Sequence, residues 1–510
     1  MPVVDIGGHP PEARWVNYHK TGESILSGRF ALRSAGLDPG REDIREGAQA
    51  VRDWLGRAKQ AGVPVRPVGG AWSPSNIQTV EHGWMLNTRR FNRCFRLAQG
   101  DFADPQTDAA KCLLVEGGVQ IDEINDKLES DEIGRSLRST GASNGQTIAG
   151  ACATGTHGSV LGAGGIQDHV RAVQIVTPNG IHWIEPGASL MGDDFIAATG
   201  ATQVHRSDEA FAAALVAVGS LGIVTAMVIE TVPRFYLQAI LKLIDFRRED
   251  LQLLADGDFR AFSGKHGLPE EPYFVMVVTN PHKPFRRKAV VRFLYERDTM
   301  AGCKCAEKPA DLGAGYDSFT MLGWLLHNLP FANGLIIQTI MRLAVGKGIG
   351  AQDKVVGTWG MTTETHKPLA KIFTGALFCD RKDLPRLFER GCEAFAGAGG
   401  ATAVTLRFMK GGHGLLAPAR WAETAGMDCD GPETKRTRRA FARMLAALDG
   451  ADPIPFTRHW GKENRLDAAR IAADYGPDLI RWKAVRDMLL PAADRALFGT
   501  AILDDWGLTA

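Results

Sequence analysis

The stretch STGASNGQTIAGACATGTHGS, Ser139 to Ser159, combines close backbone with hydroxyl donors. It is the core of a segment with nine glycines between Gly134 and Gly165. Glycine lets a backbone approach a ligand closely and offer N–H groups to phosphate oxygens. Thr140, Ser143, Thr147, Thr154 and Thr156 add neutral hydroxyls. Such a set suits a diphosphate held without a strong local positive charge. It is not a Walker loop, because no Gly-Lys-Ser/Thr occurs, nor a GxGxxG opening a helix. A run of tight turns in an all-β subdomain is the other reading of the same glycines.

Several elements must position this loop. A helix is expected from about Asp43 to Ala61: Ala48, Val51, Leu55 and Ala58 share a face, Asp43 and Glu46 resemble a capping box, and Gly62 ends it. A strand over Val63 to Val68 leads into Gly69-Gly70-Ala71-Trp72-Ser73, and Pro64 and Pro67 place it near a sheet edge or limit its pairing. Further strands are expected at Cys112 to Val119, Val170 to Thr177 with His182 to Glu185 as a hairpin, and Ile223 to Val232. Helices are expected at Gln120 to Leu128 and, capped by Ser207, at Asp208 to Val218. Beyond Pro233, strand-like runs (Tyr273 to Thr279, Ala289 to Tyr295, Ala403 to Phe408) alternate with helical ones (Asp383 to Ala396, Lys435 to Leu448). This divides the chain at about 235 and 452: residues 1–235, a second domain 236–452 with an apolar helical insertion at 301–350, and a C-terminal return 453–510.

Composition narrows the function. The chain has 510 residues, 59 Lys plus Arg against 58 Asp plus Glu, and a net charge of +1. That balance excludes a nucleic-acid binder, whose surface needs a basic excess. Hydrophobic residues make up 45% and charged ones 23%, enough for a sizeable core. Eight cysteines include Cys303 and Cys305, too close for an ordinary disulfide framework, and no CxxC or HExxH appears. Reduced thiols, no metal site and a cytoplasmic location are expected. No basic n-region with an apolar run opens the sequence, and polar residues interrupt Leu322 to Val345, so neither leader nor membrane span is expected.

Four motifs occur in one order: VRPVGGAWSPSNI (Val65 to Ile77), TIAGACATGTHGS (Thr147 to Ser159), GSLGIVT (Gly219 to Thr225) and HWGK (His459 to Lys462). Together they resemble the FAD-binding fold of the vanillyl-alcohol oxidase and p-cresol methylhydroxylase (PCMH) family, and within it the aldonolactone and alditol oxidases. The resemblance covers about residues 40 to 235 and 400 to 510. It implies an α+β fold: a PCMH-type FAD-binding domain of two α+β subdomains, and a cap domain with an antiparallel sheet covered by helices.

The resemblance also implies roles. Gly69, Gly70, Ala71, Trp72 and Ser73 would contact the FAD diphosphate. Thr140, Gly141, Ser143, Gly145, Thr147 and Gly150 would follow the diphosphate and ribityl chain, and Thr154, Thr156, His157 and Gly158 would continue that surface. Ile223, after Gly222, would offer its backbone to the adenine; it is equally a core strand residue. Gly117 would flank the flavin, where glycine goes with reaction with molecular oxygen. Many relatives attach the flavin to a histidine where Trp72 stands, and Cys152 is out of register for a second link, so non-covalent FAD is expected.

Catalysis in the family is hydride transfer from a substrate C–H to flavin N5. A Glu-x-Arg pair on a cap strand and the lysine of HWGK surround the reacting carbon. Here Arg407 and Lys462 are in place, but Thr405 stands where the glutamate is expected. Threonine is no general base near neutral pH. Either His413, His459 or Lys462 takes the proton, or Arg407 and Lys462 hold an anionic substrate, or the substrate is not a polyol. His413 reads equally as a surface-loop residue and His459 as positional. The insertion at 301–350, with Phe319, Trp324, Leu325, Leu326, Phe331, Leu335, Ile336, Ile337 and Met341, packs on the cap sheet, walls an apolar substrate site, or forms a homodimer or membrane-surface contact. The expected function is FAD-dependent oxidation of a CH–OH group with oxygen as acceptor. The alternatives are an oxidative cyclase forming C–C bonds and a non-redox flavin synthase.

Overall fold

The computed structural model describes residues 3–5, 13–32, 41–141, 143–300, 304–306, 325–326, 328–347, 354–363 and 371–509. The helix Arg41–Ala61 buries Ala48, Val51, Trp54, Leu55 and Ala58 completely, and Gly62, at φ +65°, turns the chain out of it. Because the helix starts at Arg41, Asp43 lies inside the first turn and is not its cap; its carboxylate pairs with Arg93 at 2.8 Å.

This helix is wedged between two sheets, sharing a core with Val65, Leu86, Val176 and Ile223. One sheet has the order Val3–Asp5, Gly28–Leu32, Trp84–Asn87, Val65–Val68, the last three strands parallel. Val65–Val68 is its edge strand, where Pro67 leaves no interior ladder bond unmade. The other sheet runs Gln203–Arg206, Gly180–Glu185, Val170–Thr177, Ile223–Glu230, Cys112–Glu116, Cys94–Arg96. The glycine-rich stretch is not a run of turns alone: Thr147 caps a short helix, Ile148–Thr154, which Gly155 ends at φ +70°.

The cap is built on a nine-stranded sheet. Its order is Lys304–Cys305, Val355–Gly357, Tyr236–Asp245, Lys288–Arg297, Phe274–Thr279, Ala403–Lys410, Glu423–Pro432, Ile372–Asp380, Thr457–Arg458. All neighbours are antiparallel except the first pair. Helices Leu384–Gly397 and Lys435–Leu448 cover one face, where Phe388 and Phe441 pack on Leu406 and Met427. Period-two alternation sends Thr405, Arg407, Asp428 and Asp430 to the other face.

That second face also carries helix Asn333–Lys347, through Ile337 and Met341 on Leu241 and Val290. Phe319 and Trp324 lie outside the described residues. The last cap strand is Thr457–Arg458, so the cap sheet continues past 452. The helices that follow return to the first domain, where Tyr475, Trp482 and Trp506 join the core of Leu113 and Ile124.

Candidate functional site

A cavity of about 410 Å³ opens between the two glycine turns of the first domain and the cap-sheet face that carries Arg407 and Asp428. The first turn is forced. Ala71 holds φ +56°, a left-handed conformation uncommon outside glycine, and its carbonyl accepts from the Tyr18 N–H at 2.9 Å. A Cβ on Gly69 would lie 2.2 Å from the Thr147 hydroxyl, and one on Gly70 would lie 2.6 Å from the Gly145 carbonyl. A Cβ on Gly145 would strike the Trp72 indole at 2.2 Å. The two turns therefore cross at a separation only glycine permits.

Gly69, Gly70, Ala71, Trp72, Ser73, Ser143, Thr147, Gly150, Thr154, Thr156, His157, Gly222 and Ile223 all line this cavity. Thr140, Gly141, Gly145 and Gly158 stand behind it as support. Thr140 hydrogen-bonds Asn144, a Gly141 Cβ would touch the Thr156 methyl at 3.0 Å, and a Gly158 Cβ would meet the Thr140 carbonyl at 2.3 Å. Gly117 lies behind Ala149 and Val224, which do line it.

Two lining residues carried no recognisable sequence signal. Arg66, on the edge strand, is 3% exposed and donates to the carbonyls of Val218 and Gly219, each at 2.9 Å. It thereby holds a turn in which Val218 sits at φ +46°, strained for a β-branched residue. Burial lowers the Arg66 pKa to about 10, and among the described residues no carboxylate pairs with it. The cavity therefore contains a buried cation beside the N–H and hydroxyl donors expected from the sequence. His19 stands at 5.6 Å from the Trp72 ring, and Trp72 stacks on Tyr18 at 4.2 Å. Burial lowers the His19 pKa to about 4, so its imidazole is neutral near pH 7.

The wall opposite is charged. Arg407 Nε donates to Asp428 Oδ2 at 2.6 Å, and Lys462 Nζ stands 3.4 Å from Asp428 Oδ1 and 4.0 Å from Asp430. Burial alone would raise the Asp428 pKa, but Lys462 and Arg407 outweigh it and hold the carboxyl well below its usual range. Burial pushes the Asp430 carboxyl up, against the pull of Lys462. Asp428 Oδ1 is buried and makes no hydrogen bond; its neighbour is the Lys462 ammonium. Sequence reading missed Asp428 because Glu423–Pro432 (ETAGMDCDGP) does not read as a strand; two acids alternating with Met427 and Cys429 were the signal available.

The loop carrying Lys462 is latched in place. Trp460 is fully buried, donates to the Leu416 carbonyl at 2.8 Å and stacks on Tyr475. The Ser75 N–H donates to the Gly461 carbonyl at 3.3 Å, tying this loop to the first turn. His459 is buried and its pKa lies well below 6.5, first through burial and then through Lys462. Its Nδ1 accepts from the Gly461 N–H at 3.0 Å, which leaves the hydrogen on Nε2. His459 is thus a hydrogen-bond donor to the cavity and not the proton acceptor entertained above. His157 has the opposite tautomer: Nδ1 donates to the Gly158 carbonyl at 3.1 Å, so Nε2 is an acceptor. Burial lowers its pKa to about 4.

Thr405 is buried on the same sheet face but does not line the cavity, and His413 is exposed and outside it, its backbone N–H donating to Asp168 at 2.9 Å. Among described residues of the insertion none lines the cavity; Phe331 and Leu335 point to solvent. Among the described residues, no group of three His, Cys, Asp or Glu is arranged to hold a metal ion, and no helix is long and apolar enough to cross a membrane.

Residues 46–184 match the model of a family described as "FAD binding domain". The chain is 26% identical over 202 residues to D-arabinono-1,4-lactone oxidase of Debaryomyces hansenii, covering 38% of this chain and 32% of that protein. It is 28% identical over 190 residues to L-gulonolactone oxidase of Bos taurus, covering 37% of each. The matches thus span about a third of these relatives' length. The fold is similar to that of cholesterol oxidase from Brevibacterium sterolicum, with a TM-score of 0.68, 14% identity and 99% of both chains covered. It is also similar to xylooligosaccharide oxidase from Myceliophthora thermophila C1, with a TM-score of 0.60, 13% identity, and 97% and 95% covered.

Proposed function

Starting from an FAD-binding domain at residues 46–184 in a chain with the fold of the VAO-type flavoproteins, we propose an FAD-dependent oxidase acting on a CH–OH group of a neutral, hydroxyl-rich substrate such as an aldonolactone or alditol. The observation that carries this reading is the Arg407–Asp428–Lys462 cluster facing the glycine cradle across one cavity.

The residues present fit the cofactor. Crossed glycine turns supply close N–H groups, Ser143 Oγ is buried without a hydrogen-bond partner, and Arg66 supplies a positive charge without a carboxylate. FAD bound there would supply the hydride acceptor, with Gly69 to Ser73, Ser143, Thr147 and Arg66 holding its polar groups. Trp72 cannot form a histidyl–flavin bond, which supports dissociable FAD.

Asp428 stays ionised and holds the Arg407 and Lys462 side chains on the cavity wall. Lys462 and Arg407 stabilise the negative charge that develops on the substrate oxygen as its proton leaves, which raises the hydride-donating power of the adjacent C–H. His157 Nε2, neutral at pH 7, is the acceptor available for the hydroxyl proton. Asp428 and Asp430 offset the two cations, which disfavours the anionic substrate entertained above. Thr374, Asp428, Asp430 and Lys462 make the substrate side polar, which disfavours an apolar one.

Anaerobic addition of neutral aldonolactones and alditols tests the reading. Bleaching of the flavin's visible absorbance, reversed by air, is expected. Absence of bleaching with every neutral polyol, while dithionite still reduces the flavin, would overturn it.

A further inference from the structure

Helix Lys435–Leu448 carries Lys435, Arg439 and Arg443 at a spacing of four, all exposed. Like charges so placed weaken a helix, so this stripe is not there for stability. None of the three forms an ion pair among the described residues, whereas Arg438 on the next face pairs with Glu433 and Glu463. With Arg436 they wall a groove of about 900 Å³ whose floor is alanine and glycine from this helix and Leu384–Gly397; no lining residue is acidic. Glu393, a turn back from Gly397, lies outside it.

An apolar knuckle adjoins the groove. Phe331 is 86% exposed and Leu335 63%, with Leu329 beside them at 36%. The join is direct: a Cβ on Gly399 would contact Arg436 at 3.1 Å and Pro330 at 3.4 Å, and Asn333 donates to the Gly399 carbonyl at 3.1 Å. Both features lie at one end of the cap sheet, where Ala403 pairs with Asp430 and Ile372 with Pro432. The cavity reaches that same end through Ile372 and Asp430.

We propose that this end of the cap docks on an anionic lipid bilayer, with Lys435, Arg436, Arg439 and Arg443 on the headgroups and Phe331 and Leu335 entering the interface. An exposed aromatic beside a cationic stripe is the pattern of surface-bound, non-spanning proteins: apolar burial and electrostatic attraction act together. Charge complementarity selects the partner, because the groove offers cations and no acid of its own. Docking leaves the cavity chemistry untouched and places the enzyme at a membrane surface.

Co-sedimentation of the FAD-loaded full chain with phosphatidylcholine vesicles, with and without phosphatidylserine, tests this. Binding is expected only with phosphatidylserine and should fall as salt rises. Arg439→Glu with Arg443→Glu should weaken it by at least about 25-fold, at roughly fivefold per cation removed. Phe331→Ser, on an exposed site, should weaken binding with the melting temperature unchanged. Equal binding to both vesicle types, or binding indifferent to the charge reversal, would overturn the proposal. So would a concentration-dependent dimer that Phe331→Ser disperses, which would assign the patch to a second copy of the chain.

Discussion

Thr405 and Asp428 are direct cross-strand partners, on Ala403–Lys410 and Glu423–Pro432. The carboxylate that the lactone-oxidase resemblance leads one to expect at position 405 is thus present one strand over, bonded to the same Arg407. Asp428→Asn should keep its FAD and lose kcat by about 10²-fold or more, since it removes the charge that holds Arg407 and Lys462 in position. Thr405→Val should change kcat little. Stopped-flow reduction of the bound flavin reads both.

Arg66 is a buried cation with only carbonyl partners among the described residues. Arg66→Met should weaken FAD binding by roughly 10- to 100-fold, the range of a charge-assisted hydrogen bond of about 1.5–3 kcal/mol. It should also lower the melting temperature of the apoprotein by freeing the Val218–Gly219 turn. Fluorescence titration of the apoprotein with FAD separates the two effects.

Gly145 lies under the Trp72 indole. Gly145→Ala should prevent FAD loading, and Trp72→Ala in the same chain should restore part of it, because the clash is between these two side chains. The visible spectrum of the purified variants decides this. Acid precipitation of the wild-type holoenzyme should release its flavin to the supernatant; colour retained in the pellet would show a covalent link.

Burial lowers the pKa of His19, His157, His169 and His182 from 6.5 to about 4. Between these values the unfolded chain binds more protons than the folded one. Stability should therefore be full above pH 6.5 and fall steadily as the pH drops toward 4. Asp428 acts in the same direction but below this window: its carboxyl is also held low, so its contribution is lost only as the pH falls through the ordinary carboxylate range. Melting temperatures from pH 8 to 4 should fall on the acid side; a flat profile would contradict the neutral burial of these imidazoles.

Local pattern sufficed for much of the fold. The face of Ala48, Val51, Leu55 and Ala58, the hairpin around Pro178-Asn179-Gly180, and helix Lys435–Leu448 follow from periodicity and turn residues read within a few positions. The glycine turns were legible for the same reason: close approach admits one residue type. Three cap strands were not. Tyr236–Asp245, Ile372–Asp380 and Glu423–Pro432 mix apolar runs with Gly, Lys and Asp, and only pairing in a nine-stranded sheet makes them strands.

The division at the site follows that line. The sequence by itself determined that tight glycine turns are present, because the requirement for glycine is local to each turn; that they suit a flavin followed from the resemblance carried by four motifs in one order. Tertiary structure alone decided which groups face it. Asp428 meets Arg407 through cross-strand register, Arg66 reaches the Val218–Gly219 turn about 150 residues away, and His459 is a donor because Gly461 occupies its Nδ1. Register, burial and tautomer belong to the packed chain, and no run of neighbouring residues encodes them.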